Sequence, residues 1–217
     1  YIKSMNIFCI FLFTITLINY SNSNQIEGEV YLLPAPEKEG GMPLNEALNK
    51  RQSQRDFNDT KKLTPQVFSQ ALWSCYGTNR DNGYKTTPSA VAWFPLIAYL
   101  FIDSGVFKYD PSNHSLIKVL DGDYRYMTGT QTELVTKAGA DFVFIADFNK
   151  ESSMDDDHKR RSIYLDTGHV SMALYLVGAS YNMKAVARAM VDADPLLELL
   201  GLNKEDYIFT LAFSLGY

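Results

Sequence analysis

Cysteine is scarce in this sequence. Cys9 and Cys75 are the only two thiols among 217 residues, and Cys9 lies in an apolar run near the start. Once that run is removed no intrachain disulfide can form, and neither a CxxC nor a Cys/His zinc pattern is present. Cys75 falls in a predicted helix, where a small apolar side chain suits a buried position. We therefore interpret Cys75 as a core residue rather than a nucleophile.

The short motifs that mark several large enzyme classes are also absent. The sequence has no GxGxxG, GxxxxGKS/T, HExxH or GxSxG, the usual signatures of dinucleotide-binding Rossmann folds, P-loop enzymes, zincins and α/β-hydrolases. The 3 histidines are scattered. His114 falls on a predicted hairpin turn, and His158 follows an acidic stretch that we interpret as a solvated turn. His169 is expected to be a core or capping residue. No metal site is predicted.

An excess of positive charge is missing as well. The 20 basic residues are outnumbered by 25 acidic ones, giving a formal charge of −5, whereas a nucleic-acid-binding domain normally carries a basic face. No repeat or low-complexity tract stands out. Apolar residues, by contrast, are plentiful: 46% of the chain is hydrophobic and 13% aromatic, which suffices for the core of one domain. We therefore predict a single folded domain that does not bind nucleic acid.

Residues 1–23 carry the features of a targeting signal. Lys3 precedes an apolar run over residues 7–18, and polar residues follow it. This pattern predicts a secretory signal peptide, because the run is short for a membrane span. An uncleaved N-terminal membrane anchor is the alternative. The sequence thus predicts export to a periplasmic, envelope or secreted location. Prolines and glycines predict that residues 24–41 form an extended arm, which leaves 42–217 as the folded domain.

Helical and extended patterns follow one another along this domain. Apolar residues at helical spacing predict helices over residues 42–50, 65–76, 130–137, 161–183 and 195–200. Thr64 is expected to cap the second of these, with Pro65 in its first position. The fourth is apolar over more than one face, so we expect it to be largely buried.

Short apolar runs predict strands over residues 95–102, 106–109, 115–120, 142–146 and 207–215. The second and third of these form a hairpin that turns near Pro111, and the fourth is apolar enough for the middle of a sheet. Helices outside and strands inside predict an α+β fold with a mixed, mostly antiparallel sheet.

Residues 51–57, which close the first predicted helix, are the main candidate for a binding site. Arg51 and Arg55 lie four residues apart with Ser53 between them, and could converge on one side of a turn leaving the helix. The planar donor fork of arginine suits phosphate, and serine adds a neutral donor. The pattern therefore indicates a small anion site. A solvated basic helix end that complements the helix dipole is the alternative.

A series of segments resembles the FMN-dependent nitroreductase family. The first ones are Leu-Pro-Ala-Pro at 33–36, Gly-Gly-Met-Pro-Leu at 40–44 and Arg-x-Ser-x-Arg-x-Phe at 51–57. Further ones are Pro-Ser-Ala at 88–90, Asp-Gly-Asp at 121–123, Gly-Thr-Gln at 129–131, Asp-Thr-Gly at 166–168, Arg-Ala-Met-Val-Asp at 188–192 and Leu-Gly-Tyr at 215–217. In this order the segments resemble that family over nearly the whole chain after the leader.

The resemblance implies a three-layer nitroreductase-like fold and a homodimer that binds FMN between its subunits. By analogy with relatives, Arg51 and Ser53 would hold the flavin phosphate, and Arg55 would approach the N1 side of the ring, where a cation stabilises the reduced form. The turn at 88–90 would line the flavin from the other subunit, and 188–190 would offer a backbone N–H to flavin N5. The implied cofactor-binding residues are Arg51, Gln52, Ser53, Arg55, Pro88, Ser89, Ala90, Arg188, Ala189 and Met190.

The resemblance also implies an activity, in which the flavin rather than any side chain carries the chemistry. NAD(P)H or another donor would reduce FMN and leave, and a small nitroaromatic or quinone-like acceptor would be reduced in the same cleft. Two residues keep a second hypothesis open. Ala92 stands where relatives often have Asn, and Ala189 where they often have Gly, which has more room for close approach. Under this hypothesis the chain is a catalytically weakened flavin-binding or interaction protein.

Overall fold

The computed structural model describes residues 28–150 and 153–217, so the predicted leader at 1–23 lies outside the described residues. In the described part of the chain, no helix combines the length and apolar composition that crossing a bilayer requires. The same residues contain no group of three or more His, Cys, Asp or Glu side chains placed to hold a metal ion.

One sheet of seven strands organises the described residues, in the order β1-β4-β3-β2-β5-β7-β6. The strands are β1 (Val30–Leu32), β2 (Leu96–Ile102), β3 (Gly105–Asp110), β4 (Ser115–Asp121), β5 (Ala140–Asp147), β6 (Lys184–Arg188) and β7 (Tyr207–Gly216). All pairings between the described strands are antiparallel. The predicted antiparallel character is confirmed, but the parallel pairing that a mixed sheet would include is not found among these strands. The short β2–β3 and β3–β4 turns account for two of these pairings, because tight turns join antiparallel neighbours.

Strand β5 lies inside the sheet, between β2 and β7, as its apolar run predicts. Successive side chains of a strand point to opposite faces. Phe142 and Phe144 accordingly join one buried cluster, and Val143 and Ile145 join another on the opposite face. A strand that is apolar on both faces needs cover on both, so helices must pack above and below the sheet.

The described residues form five α-helices: α1 (Leu44–Lys50), α2 (Pro65–Tyr76), α3 (Thr132–Lys137), α4 (Asp156–Ser180) and α5 (Ala193–Leu199). Helices α2 and α4 cover the face of Phe142, whereas α5 covers the face of Val143. Thr64 caps α2 by accepting a hydrogen bond from the Val67 N–H at 3.4 Å, as predicted. Cys75 is fully buried in α2, and burial raises the pKa of its thiol, which confirms its interpretation as a core residue. The α+β three-layer fold is thereby established.

Helix α4 begins at Asp156, five residues earlier than predicted. The side chain of Asp155 caps it by accepting a hydrogen bond from the His158 N–H at 3.1 Å. The acidic stretch is therefore the cap and first turn of a helix rather than a solvated turn. Carboxylates are favourable there, because they face the positive end of the helix dipole.

The prediction that this helix is largely buried is wrong. Its inner face, which includes Ile163, Val170 and Leu174, is buried. Its outer face is exposed and comprises Tyr164, Leu165, Gly168, His169 and Met172. Leu165 is 60% exposed and Tyr164 55%. The exposure of His169 also overturns its interpretation as a core or capping residue.

The arm preceding α1 contains the short edge strand β1, which pairs with β4. His114, at the end of the β3–β4 turn, holds the arm in place. Its Nε2 lies 2.8 Å from Ser69 Oγ and 3.1 Å from Pro34 O, and its Nδ1 lies 2.9 Å from the Tyr109 hydroxyl. The arm is therefore fixed to both α2 and the hairpin.

Candidate functional site

The candidate anion site lies on an extended segment rather than on a turn. Helix α1 ends at Lys50, and Arg51 leaves it with φ −59° and ψ 123°. The chain then runs beside β6, where the Gln54 N–H donates to Ala185 O at 2.9 Å. Because extended backbone advances about 3.3 Å per residue, Arg51 and Arg55 leave the chain up to about 13 Å apart. The two side chains line different pockets, and the convergence of both guanidiniums on one point stays a prediction.

Arg51 and Ser53 meet at Tyr175, a residue of α4. The Arg51 guanidinium lies 5.2 Å from the centre of the Tyr175 ring. Ser53 Oγ lies 2.8 Å from the Tyr175 hydroxyl, which also accepts a hydrogen bond from the Ala187 N–H at 2.9 Å. Helix α4, the segment 51–57 and strand β6 are thus joined through the Tyr175 side chain. Gln52 is exposed and lines an open pocket of about 390 Å³ beside Arg51.

Arg55 lines a separate cavity of about 170 Å³. The other lining residues belong to the end of β6 and to the loop before α3: Gly129, Gln131, Ala187, Arg188, Ala189 and Met190. The Thr130 N–H donates to Met190 O at 3.0 Å and holds the two stretches together. The structure therefore gathers Arg55 with 188–190, residues that are 133 or more positions away along the chain.

The Arg188 side chain is buried behind this cavity. Its guanidinium donates to Ser214 Oγ at 2.9 Å and to Asp141 Oδ1 at 2.8 Å, and it also bonds Thr128 O. Burial raises the pKa of Asp141 to about 6 and lowers that of Arg188, so the pair depends on these contacts to stay charged. The Arg188 side chain therefore has a structural role, and a ligand in the cavity would meet mainly the backbone of 188–190.

Arg51 and Arg55 carry charges that the described part of the chain does not neutralise. Neither guanidinium forms an ion pair within residues 28–150 and 153–217, whereas nearby Lys184 pairs with Asp56 at 2.8 Å. Two unpaired arginines with a serine between them form an electrostatic environment that favours an anion.

The predicted residues Pro88, Ser89 and Ala90 lie elsewhere, on a loop held by Asp166 of α4. Ser89 Oγ donates to Asp166 Oδ2 at 2.5 Å, and the Ala90 N–H donates to Oδ1 at 3.2 Å. Ser89 Oγ also accepts from the Phe94 N–H at 2.8 Å. The serine hydroxyl is thus occupied in shaping its own loop. Burial raises the pKa of Asp166.

Within the single chain, the 88–90 loop at Asp166 lies apart from Arg51 and Ser53 at Tyr175. Asp166 and Tyr175 are nine positions apart on α4, which corresponds to about 13 Å along the helix axis. The exposed outer face of α4 lies on this same stretch of helix. Tyr175 was missed by sequence reasoning, because a tyrosine in an apolar helix gives no local sign of a polar partner.

Another cavity, of about 420 Å³, lies between the arm, α2 and the β2–β3 turn. It is lined mainly by apolar residues, among them Leu33, Phe68 and Phe107, and its charged lining residues include Lys62 and Asp103, which pair at 2.7 Å. None of the predicted cofactor-binding residues lines it.

Comparison with known proteins agrees with this architecture. A curated relative from Methanocaldococcus jannaschii, whose name places it among the nitroreductases, is 26% identical over 170 residues, covering 74% of this chain and 85% of the relative. A crystal structure from Ralstonia eutropha JMP134, also named as a nitroreductase, superposes with a TM-score of 0.81 at 29% identity, covering 93% of this chain and 95% of that one.

A structure from Desulfovibrio desulfuricans, named as a nitroreductase in complex with FMN, shares the fold at a TM-score of 0.59 and 15% identity, covering 82% of this chain and 87% of that one. The model of the Nitroreductase family matches residues 48–217, which include α2, α4, the whole sheet except β1, and both groups of predicted site residues. On this evidence the chain belongs to the nitroreductase family.

Proposed function

We propose that this protein is an FMN-dependent oxidoreductase that uses NAD(P)H or another donor to reduce small nitroaromatic or quinone-like acceptors. The observation that carries the proposal is that Arg51 and Arg55, on one segment with Ser53 between them, form no ion pair with any residue that the structure describes. Family membership and the FMN bound by the D. desulfuricans protein support the choice of cofactor.

The residues of the site fit FMN in two respects. An anion site at Arg51 and Ser53 suits a phosphate dianion, which takes charge-assisted hydrogen bonds from arginine and serine donors. The cavity at Arg55 offers a cation and the backbone of 188–190, which suits the polar edge of a planar ring. The span of up to about 13 Å between the two arginines lets one extended ligand reach both.

Bound flavin would supply hydride acceptance and donation in the cleft. The chain's own residues would bind and orient it. Arg51 and Ser53 would hold the phosphate, and Arg55 would place positive charge beside the ring edge, where reduction adds negative charge. Ala189 and Met190 would bring backbone N–H groups against the ring, since both residues are exposed at the cavity.

The homodimer is part of the proposal. The outer face of α4 exposes large apolar side chains, and Leu44 of α1 is 64% exposed. A second copy on this face would cover these side chains. It would also bring its own 88–90 loop towards Arg51 and Ser53. Within one chain, that loop is held about 13 Å away from them along α4. The site is incomplete without that copy.

The test is FMN content and affinity in the purified protein. We expect one FMN per subunit on heat release, and Arg51→Ala should weaken FMN binding by about 1.5–3 kcal/mol through loss of a charge-assisted contact. Lys50→Ala is the matched control, because Lys50 is the neighbouring cation but pairs with Glu46 at 2.8 Å. A colourless protein that cannot be reconstituted would refute the proposal.

The second candidate, a flavin-binding protein with weak turnover, is favoured by Ala189, which lines the 170 Å³ cavity and stands where relatives often have glycine. NADPH oxidation by the FMN-loaded protein separates the two. Bleaching of the flavin on addition of NADPH, followed by reoxidation with a quinone, supports the enzyme. Stoichiometric FMN without bleaching by NADH or NADPH supports the second candidate.

We also propose that residues 1–23 direct export of the protein, as the apolar run at 7–18 indicates. Fractionation of the native host followed by N-terminal sequencing tests this. A mature N-terminus near residue 24 in an exported fraction is expected, whereas protein that stays in the cytosol with residues 1–23 intact contradicts it.

A further inference from the structure

Tyr175 joins the three structural parts of the candidate phosphate site. Its hydroxyl lies 2.8 Å from Ser53 Oγ and accepts the Ala187 N–H at 2.9 Å, and its ring lies 5.2 Å from the Arg51 guanidinium. The ring itself packs edge to face against Phe213, with centres 4.8 Å apart. The ring and the hydroxyl therefore have separable roles: the ring packs, and the hydroxyl contacts the site.

The donors available fix the direction of one of these hydrogen bonds. A backbone N–H can only donate, so the phenol oxygen is the acceptor in its bond with Ala187. Either hydroxyl can donate across the contact between Tyr175 and Ser53. When an acceptor beside Arg51 takes the Ser53 hydrogen, the phenol hydrogen fills this contact, so that Tyr175 donates and the Ser53 oxygen accepts.

This direction frees the hydroxyl hydrogen of Ser53. A serine whose oxygen already accepts a hydrogen bond keeps its own O–H for another acceptor. Ser53 is exposed, and Arg51 beside it has no carboxylate partner in the described residues. An anion attracted by Arg51 would meet a serine hydroxyl that can donate to it.

We propose that Tyr175 is a positioning residue that orders Ser53 as a donor to the phosphate and thereby selects FMN over flavins that lack a phosphate. This inference rests on the proposed function, because it concerns the same site. The proposed role depends on the Tyr175 hydroxyl alone. Tyr175→Phe keeps the ring in contact with Phe213 and beside Arg51, and removes only the group that orders Ser53.

Dissociation constants for FMN and riboflavin, measured by flavin fluorescence for the wild type, Tyr175→Phe, Ser53→Ala and the double variant, test this inference. We expect Tyr175→Phe to weaken FMN binding about three- to tenfold, the scale of one hydrogen bond between neutral groups. Riboflavin affinity should change by less than about twofold. In the Ser53→Ala background, adding Tyr175→Phe should change FMN affinity by less than about twofold, since the two groups act as a unit.

Tyr181→Phe is the matched control, because it removes a hydroxyl from the end of the same helix, where Tyr181 donates to Glu37 at 3.2 Å, and should leave both affinities unchanged. Equal weakening of FMN and riboflavin by Tyr175→Phe would show a merely structural role and overturn the inference. The inference is also overturned if Tyr175→Phe weakens FMN binding as much in the Ser53→Ala background as in the wild type. A wild type that binds riboflavin and FMN equally would overturn the phosphate site itself, and a wild type that binds neither would refute the proposed function.

Discussion

Val91 has a backbone conformation that few β-branched residues adopt. Its φ of 46° and ψ of 26° fall in the left-handed region, and Ala92 and Phe94 also have positive φ values of 56° and 49°. A left-handed conformation costs an L-residue about 1–2 kcal/mol. The Ala90 N–H donates a hydrogen bond to Asp166, and the Phe94 N–H donates one to Ser89. These hydrogen bonds offset the strain at Val91, directly after the predicted flavin-lining turn 88–90.

Val91→Gly should therefore raise the free energy of unfolding by about 1 kcal/mol. Glycine adopts a positive φ without strain, and Val91 is 72% exposed, so little buried contact is lost. Urea denaturation measures the change. Val30→Gly is the control, because Val30 is also exposed but lies in strand β1. There the same substitution should lower the free energy of unfolding by about 1 kcal/mol. If both variants raised it, or both lowered it, strain at Val91 would not be the explanation.

His114 should make stability depend on pH. Burial lowers its pKa below the ordinary value, with nearby Lys38 acting in the same direction. A histidine whose folded pKa is depressed stabilises the fold while neutral, so its contribution is present above the unfolded pKa near 6.5 and is lost as the pH falls below it. We expect the free energy of unfolding to fall more steeply below about pH 6.5 in the wild type than in His114→Gln.

Urea denaturation of the wild type and His114→Gln between about pH 7 and pH 5 measures this dependence. Hydrogen exchange at the Leu33 amide, which donates to His114 O at 3.2 Å, reports whether the arm loosens at the same time. Parallel pH curves for the wild type and His114→Gln would show that His114 is not the group responsible.

At the level of elements, the close approach of the 128–131 loop to β6 builds the Arg55 cavity. Gly129 is buried against the Arg188 guanidinium, and a Cβ at Gly129 would lie 2.2 Å from Arg188 Nη1. An arginine at the surface could move aside. Arg188 cannot do so easily, because Asp141 and Ser214 hold it in the interior. Glycine is therefore required here for space rather than for backbone freedom.

Gly129→Ala should lower the free energy of unfolding by about 2–4 kcal/mol, the scale of disturbing a buried ion pair. It should also weaken flavin binding, because the loop forms one wall of the cavity. Thermal and urea denaturation measure the first effect. Thr130→Ala, at the exposed next position, should stay within about 0.5 kcal/mol of the wild type. A Gly129→Ala protein of wild-type stability would mean that the loop can shift freely.

At the level of the whole molecule, the exposed apolar face of α4 is the feature that the single chain does not account for. Tyr164, Leu165 and Met172 are 55%, 60% and 37% exposed, on a helix whose other face is packed in the core. Such a row of large apolar side chains on one face indicates an interaction surface. A second copy of the chain is the partner that would also complete the proposed flavin cleft.

Leu165→Glu should therefore produce a monomer. A carboxylate buried at the interface would raise the dimer dissociation constant at least about a hundredfold, roughly 3 kcal/mol, and FMN should be lost with it. Sedimentation velocity measures the oligomeric state. Tyr126→Glu is the control, because Tyr126 is 47% exposed but lies in the helical turn Arg125–Thr128, on the α5 side of the sheet. An unchanged dimer with Leu165→Glu would place the interface elsewhere.

The helices and strands that could be predicted are those whose own residues are enough to form them. The cap of α2 needs only Thr64 and Pro65, and the β3–β4 hairpin needs two apolar runs and a short turn. Strand β5 is apolar on both faces, so its central position follows from its composition. Strand β6 was missed, because its five residues at the sheet edge have no long apolar run and are fixed by pairing with β7.

The sequence by itself determined the candidate anion site: Arg51, Ser53 and Arg55 are neighbours along the chain, and their donors suit phosphate whatever surrounds them. Only the tertiary structure decided how they are used. Arg51 and Arg55 line different pockets, and Ser53 contacts Tyr175, which lies 122 positions away. Contacts at such separations depend on how the sheet and helices pack, and no local pattern encodes them.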